Sequence, residues 1–298
     1  MRTTRTTRNA RTRGAREVEQ WLARNIAWPS VLTLAMLSFT VAVVRESAAG
    51  QVLAPAIDHL AAAAGAMPVA SGPPPSIQAA AAIVMDGDTG AVLYSLHADD
   101  LRPMASCTKI MTALVAVQHG TLDQMITIGA DAAAYVNSDN SYMGLSAGEK
   151  VSLSDLLYGL LLPSGNDAAV AIADAIGGSQ DHFVSMMNQE AQTLGLTHTH
   201  FADPHGLDAP GHHTSARDLG VLSIAALRDP TIARIAATLH YEIPQTATHK
   251  AYSLFNYNSL LPGAHSPYPG AIGLKPGNTG AAGWCEAFAA RRNDHLIV

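Results

Sequence analysis

From residue 77 onward the apolar positions fall into short runs punctuated by turn chemistry. Residues 79–85 form an apolar run that predicts a strand. Asp86-Gly87-Asp88-Thr89-Gly90 supplies turn residues, and residues 91–94 predict a second strand, the two reading as a hairpin. Residues 106–118 place Ile110, Met111, Leu114, Val115 and Val117 at helical spacing, and Gly120 ends the pattern. Further helices are predicted at 153–162, closed by Pro163; at 167–176, stopped by Gly177-Gly178; at 181–194; and at 216–227, with Thr214 or Ser215 as the cap. Residues 271–274, 282–290 and 295–298 predict strands. Strands at both ends with helices between them imply an α/β (α+β) body whose first and last segments share one sheet.

The N-terminal region has a different pattern. Residues 26–44 carry no charge and include Trp28, Val31, Leu32, Leu34, Met36, Leu37, Phe39 and Val41, a run long enough to cross a bilayer as a helix. Eight arginines lie within the first 45 residues, opposed there only by Glu17 and Glu19. The positive-inside rule then places residues 1–25 in the cytoplasm and the body outside, in the cell envelope. Two readings of 26–45 stay open: a signal peptide cut near Ser47-Ala48-Ala49, or an uncleaved anchor. Residues 46–76, rich in Ala, Pro and Gly, read as a linker, with a short helix expected around Ile57-Asp58-His59-Leu60. The net charge of −6 is therefore a basic arm of about +6 joined to an acidic body, which argues against a nucleic-acid surface. Cys107 and Cys285 are too few for a disulfide scaffold. They read as small buried thiols, a bridge between them being the alternative in an exported body.

Three short motifs carry chemistry. In Ser106-Cys107-Thr108-Lys109 the spacing of three puts serine and lysine on one helical face, so the amine can reach the hydroxyl. Serine is a weak nucleophile until its proton is taken, and lysine can take it only with a depressed pKa. Ser106 at a helix start also sits at the positive end of the helix dipole. Ser164-Gly165-Asn166 lies in a loop between two predicted helices and offers a hydroxyl for proton relay and an amide for orientation. Lys275-Pro276-Gly277, on a late strand, offers a cation beside glycines that let a substrate approach the backbone.

Taken in this order, the three motifs resemble those of the penicillin-recognising serine enzymes. The segments Met85 to Leu114, Leu161 to Ala169, Phe201 to Asp218, Asn256 to Leu261 and Gly273 to Cys285 are similar to the low-molecular-weight D-alanyl-D-alanine carboxypeptidases, so the resemblance covers residues 77–298. It implies a β-lactamase/transpeptidase-like fold with an antiparallel sheet and a helical subdomain. It also implies a cell-wall enzyme that removes the terminal D-alanine from peptidoglycan stem peptides without metal or cofactor, and that β-lactams inhibit covalently. Ser106 would be the nucleophile, Lys109 the general base, Ser164 the proton relay, and Asn166 the group that holds lysine and substrate amide. Lys275, Gly277, Asn278 and Thr279 would bind substrate, with the Ser106 and Asn278 N–H groups forming the oxyanion hole.

Two departures from the family pattern stand out. Pro276 replaces the usual threonine, removing a hydroxyl that binds the substrate carboxylate, a loss of about 1.5–3 kcal/mol; Thr279 is the candidate to compensate. Relatives also continue past the strand near Leu296 with more strand and a covering helix, so the chain as given is expected to be of low stability, melting below about 70 °C. Three alternatives remain. A stem-peptide-binding relative with little or no turnover is one. A class A-like β-lactamase would need Glu190 or Glu242 to activate water. A metal hydrolase would use His198, His200, His205, His212 and His213 with Asp203 and Asp208, which are better read as loop histidines with local hydrogen bonds.

Overall fold

The computed structural model describes residues 74–137, 140–292 and 295–298. Residues 81–90 and 95–298 belong to one compact unit. The hydrophobic run at 26–45 and the helix expected near residue 58 lie outside the described residues, as does most of the 46–76 linker. Among the described residues no helix is long and apolar enough to cross a membrane.

In chain order the elements begin with β1 (Ala82–Met85) and β2 (Val92–Leu96), then a 3-10 turn (Ala105–Thr108) that leads into α1 (Lys109–His119). β3 (Met125–Thr127), α2 (Ala130–Ala133), β4 (Lys150–Ser152), α3 (Leu153–Leu161), α4 (Asn166–Gly177), α5 (Gln180–Thr193), α6 (Ala216–Leu227) and α7 (Pro230–Ala236) follow. The chain closes with β5 (His240–Ile243), β6 (Tyr252–Phe255), β7 (Ala271–Thr279), β8 (Gly283–Arg292) and β9 (His295–Ile297). Helix starts follow capping chemistry. Ser152, Ser179 and Ser215 each accept a hydrogen bond from a first-turn N–H, and Asp229 accepts two ahead of Pro230. The sixth helix is thus capped by Ser215 rather than Thr214.

α1 is buried along its first eight residues and apolar on nearly every side, as a helix at the centre of a core must be. It packs against α3, α4, α5 and α6. β7, β8 and β9 form an antiparallel sheet in that order, with β7 at one end. Met85 and Val298 exchange backbone hydrogen bonds at 2.7 and 3.0 Å, and Gly87 N–H donates to the Leu296 carbonyl at 2.7 Å. The first and last segments of the body therefore meet through backbone hydrogen bonds, although β1 and the β7–β8–β9 sheet are separate sheets and not the single one expected. The short pairs β3–β4 and β5–β6, and helix α7, were not predicted.

Candidate active site

The predicted helix at 106–118 is corrected at its start. Residues 105–108 form a 3-10 turn, and the α-helix begins at Lys109. In a 3-10 turn, residues three apart eclipse one another. Ser106 and Lys109 are therefore brought side by side more directly than on an α-helix, with Lys109 Nζ 3.0 Å from Ser106 Oγ. Ala105, immediately before the serine, has φ +47, a left-handed conformation that a non-glycine residue holds only under constraint.

Lys109 is fully buried, and its nitrogen has three neighbours: Ser106 Oγ, Asn166 Oδ1 at 2.7 Å and the His205 carbonyl at 2.5 Å. Burial first, and then the nearby Lys275 cation, hold its pKa well below the ordinary lysine value. The neutral amine has two N–H donors and one lone pair. The His205 carbonyl can only accept, and Asn166 Oδ1 can only accept. Both N–H groups are thereby committed, and the lone pair is left facing the Ser106 hydroxyl. That is the arrangement in which Ser106 O–H donates to Nζ and a lysine can act as base.

Asn166 opens α4, and its Nδ2 donates to Asn140 Oδ1 at 3.2 Å, which fixes the amide with its oxygen toward Lys109. Ser164 lies in the turn between α3 and α4, buried, with φ +64. Lys275 is buried on β7, and its Nζ donates to the Pro276 carbonyl at 3.0 Å. Burial brings its pKa down to about 8.

β7 runs unbroken through Pro276, which pairs in register with Glu286. A strand at the end of its sheet has an outer row of N–H positions without ladder partners, and such a strand tolerates proline. Gly277 packs directly on the serine turn: a Cβ placed there would lie 2.8 Å from Ser106 N and 3.0 Å from Ala105 Cβ. We expect Gly277→Val to slow acylation at Ser106 by at least about tenfold, measured with a fluorescent penicillin on protein shown to be folded; an unchanged rate would show that the turn yields. Thr279 Oγ1 donates to Asp208 Oδ1 at 2.6 Å and accepts from Ala282 N–H at 3.1 Å. Asn278 is exposed at the same end of β7.

The two cysteines carry thiols. Cys107 Sγ donates to the Lys275 carbonyl at 3.3 Å and Cys285 Sγ to the Pro103 carbonyl at 3.7 Å. Burial pushes the Cys107 pKa up, so this thiol ties the serine turn to β7 without being a nucleophile.

The histidine-rich loop serves the site through its backbone. Pro204 and His205 present carbonyls to Thr112 Oγ1 and Lys109 Nζ. Asp203 Oδ1 accepts from His205 N at 2.9 Å and also from Gly206 N, which shapes that turn. Burial opposes ionisation of Asp203, but hydrogen bonds from His205 and from the Gly206 N–H hold its pKa at about 2. His200 Nδ1 meets the Gly211 carbonyl at 3.0 Å and His198 Nδ1 meets Thr197 Oγ1 at 3.2 Å, the local bonding expected of loop histidines. Glu190 accepts from the exposed Gln118, and Glu242 accepts from Ser253 and pairs with His240, so both candidate glutamates have surface partners.

Comparison with known proteins points the same way. Residues 68–298 match the family model described as D-alanyl-D-alanine carboxypeptidase. The chain is 40% identical over 236 residues to D-alanyl-D-alanine carboxypeptidase DacD of Salmonella typhimurium, covering 76% of this chain and 58% of that one. It is 38% identical over 232 residues to DacC of Escherichia coli, covering 75% of this chain and 56% of the relative. It thus spans somewhat over half the length of these relatives. The D-alanyl-D-alanine carboxypeptidase of Streptomyces sp. strain K15 is 36% identical over 247 residues, covering 78% of this chain and 84% of that one. The crystal structure of the Streptomyces K15 DD-transpeptidase superposes with a TM-score of 0.70 at 34% identity, over 76% of this chain and 90% of that chain.

Proposed function

The chain belongs to the D-alanyl-D-alanine carboxypeptidase family of peptidases, and from that premise we propose that residues 77–298 are a serine D-Ala-D-Ala carboxypeptidase acting on peptidoglycan stem peptides. The observation that supports this most directly is the placement of Lys109 Nζ, held by Asn166 Oδ1 and the His205 carbonyl within 3.0 Å of Ser106 Oγ. Ser106 Oγ attacks the carbonyl of the penultimate D-alanine as its proton passes to Lys109 Nζ. The Ser106 and Asn278 N–H groups hold the oxyanion. The C–N bond then breaks, and the departing D-alanine nitrogen takes a proton through Ser164. Water hydrolyses the resulting ester and restores Ser106. Lys275 draws the terminal carboxylate, and Gly277 lets the substrate lie against β7. β-Lactams acylate the same serine and leave slowly.

Residues 26–45, as a signal peptide or an anchor, would export this body to the outer face of the membrane, with residues 1–25 inside and 46–76 as the spacer.

The test is release of D-alanine from an acyl-D-Ala-D-Ala peptide across pH. Below the depressed pKa of Lys109 the base is protonated, so turnover rises as pH passes through it. Above the Lys275 pKa of about 8 the carboxylate-binding cation is lost, so turnover falls. A bell with its alkaline limb near pH 8 is expected. Release that climbs steadily to pH 10, or no release at all from folded protein, would oppose the assignment.

A further inference from the structure

We infer that Thr108 and His212 are positioning residues for acylation, holding the strained turn that carries Ser106 in line with Lys109; the inference rests on the serine-enzyme reading above. The hydrogen-bond directions can be assigned throughout. Ala202 N–H donates to His212 Nδ1 at 3.0 Å, so the ring proton is on Nε2. Nε2 lies 2.7 Å from Thr108 Oγ1, and the Thr108 hydroxyl in turn donates to the Ala105 carbonyl at 2.8 Å. The chain of bonds therefore ends on Ala105, the residue with φ +47 that sets the direction of Ser106.

The same loop reaches Lys109. Asp203 Oδ1 accepts from Gly206 N–H, fixing the peptide whose carbonyl, that of His205, accepts from Nζ, and its Oδ2 sits 3.7 Å from His212 Nδ1. Gly206, with φ +91, packs so closely that a Cβ on it would lie 2.0 Å from the Ala105 carbonyl oxygen. One loop thus fixes both partners, the serine through His212 and Thr108 and the lysine through a main-chain carbonyl. Thr108 and His212 are buried, and burial keeps the imidazole neutral by lowering its pKa, the state in which it both accepts and donates.

The experiment measures the acylation rate constant and the non-covalent dissociation constant for a fluorescent penicillin by stopped flow. It uses the wild-type chain and the variants Thr108→Val, Thr108→Ser, His212→Leu and His212→Gln. Thr108→Val keeps the shape and removes the hydroxyl; serine and glutamine keep groups able to hydrogen-bond. We expect Thr108→Val and His212→Leu to slow acylation about 10–100-fold with the dissociation constant within about threefold of wild type. Serine and glutamine should stay within about threefold in both. Wild-type acylation rates in Thr108→Val, or a His212→Gln variant as slow as His212→Leu, would overturn the inference. If His212→Leu fails to fold, the isosteric Thr108→Val decides. Absence of acylation in the wild type would instead defeat the functional reading itself.

Discussion

Lys109→Met is expected to slow acylation of Ser106 by about 10³–10⁴-fold, the size of loss seen when one member of a coupled nucleophile–base set is removed. Methionine is close in length to lysine and can occupy the same buried path between Ser106, Asn166 and the His205 carbonyl. What it lacks is the lone pair that takes the serine proton. The substitution leaves two buried oxygens without a donor, costing about 1–3 kcal/mol each. It also removes a buried amine that burial itself disfavours, which offsets part of that cost. The protein should therefore still melt cooperatively while its acylation burst nearly vanishes. A burst within tenfold of wild type would mean that some other group takes the proton.

Asp167→Ala should produce the largest loss of stability, about 3–5 kcal/mol, or roughly 10 °C in melting temperature for a body of this size. The Asp167 carboxylate is fully buried. It accepts hydrogen bonds from Met143 N and Gly144 N at 2.8 Å and from Leu145 N and Ala168 N at 2.9 Å. Alanine would strand these donors in the interior. The same segment holds Asn166, whose backbone N–H donates to the Ser141 carbonyl at 2.8 Å. Loosening it should therefore also lower acylation. Thermal melts of both proteins check this, and a shift below about 3 °C would show that water satisfies the freed groups.

Most of what carries chemistry was legible in the sequence, because it depends on side-chain type at fixed spacing. Ser106, Lys109 and Asn166 come together, and β7 carries Lys275 where the late strand was expected. The meeting of the body's first and last segments was legible because both are apolar runs of strand length. Other features were not. A 3-10 turn and an α-helix start share the spacing of three, so nothing in the sequence separates Ser106 on a turn from Ser106 on a helix. The left-handed backbone of Ala105 is not announced by alanine; its carbonyl accepts from Thr108 Oγ1 and lies against Gly206. β3 and β4 are three residues each and join positions such as Ile126 and Val151 that no local pattern links. His205 contributes a carbonyl, which any residue would supply. Its side chain drew attention to metal binding, whereas the signal for its actual place was Asp203 two residues before it, a residue type that shapes turns. The Thr279–Asp208 hydrogen bond was not legible, because the two residues are distant in sequence.

Everything proposed for the site depends on acylation of Ser106 with Lys109 as its base. Its most direct test is incubation of the folded chain with a fluorescent penicillin, followed by mass analysis of the labelled peptide, beside a Ser106→Ala control. One adduct is expected, on the peptide containing Ser106, absent from the alanine variant. An adduct on another residue, label retained in Ser106→Ala, or folded wild-type protein that takes no label would contradict it.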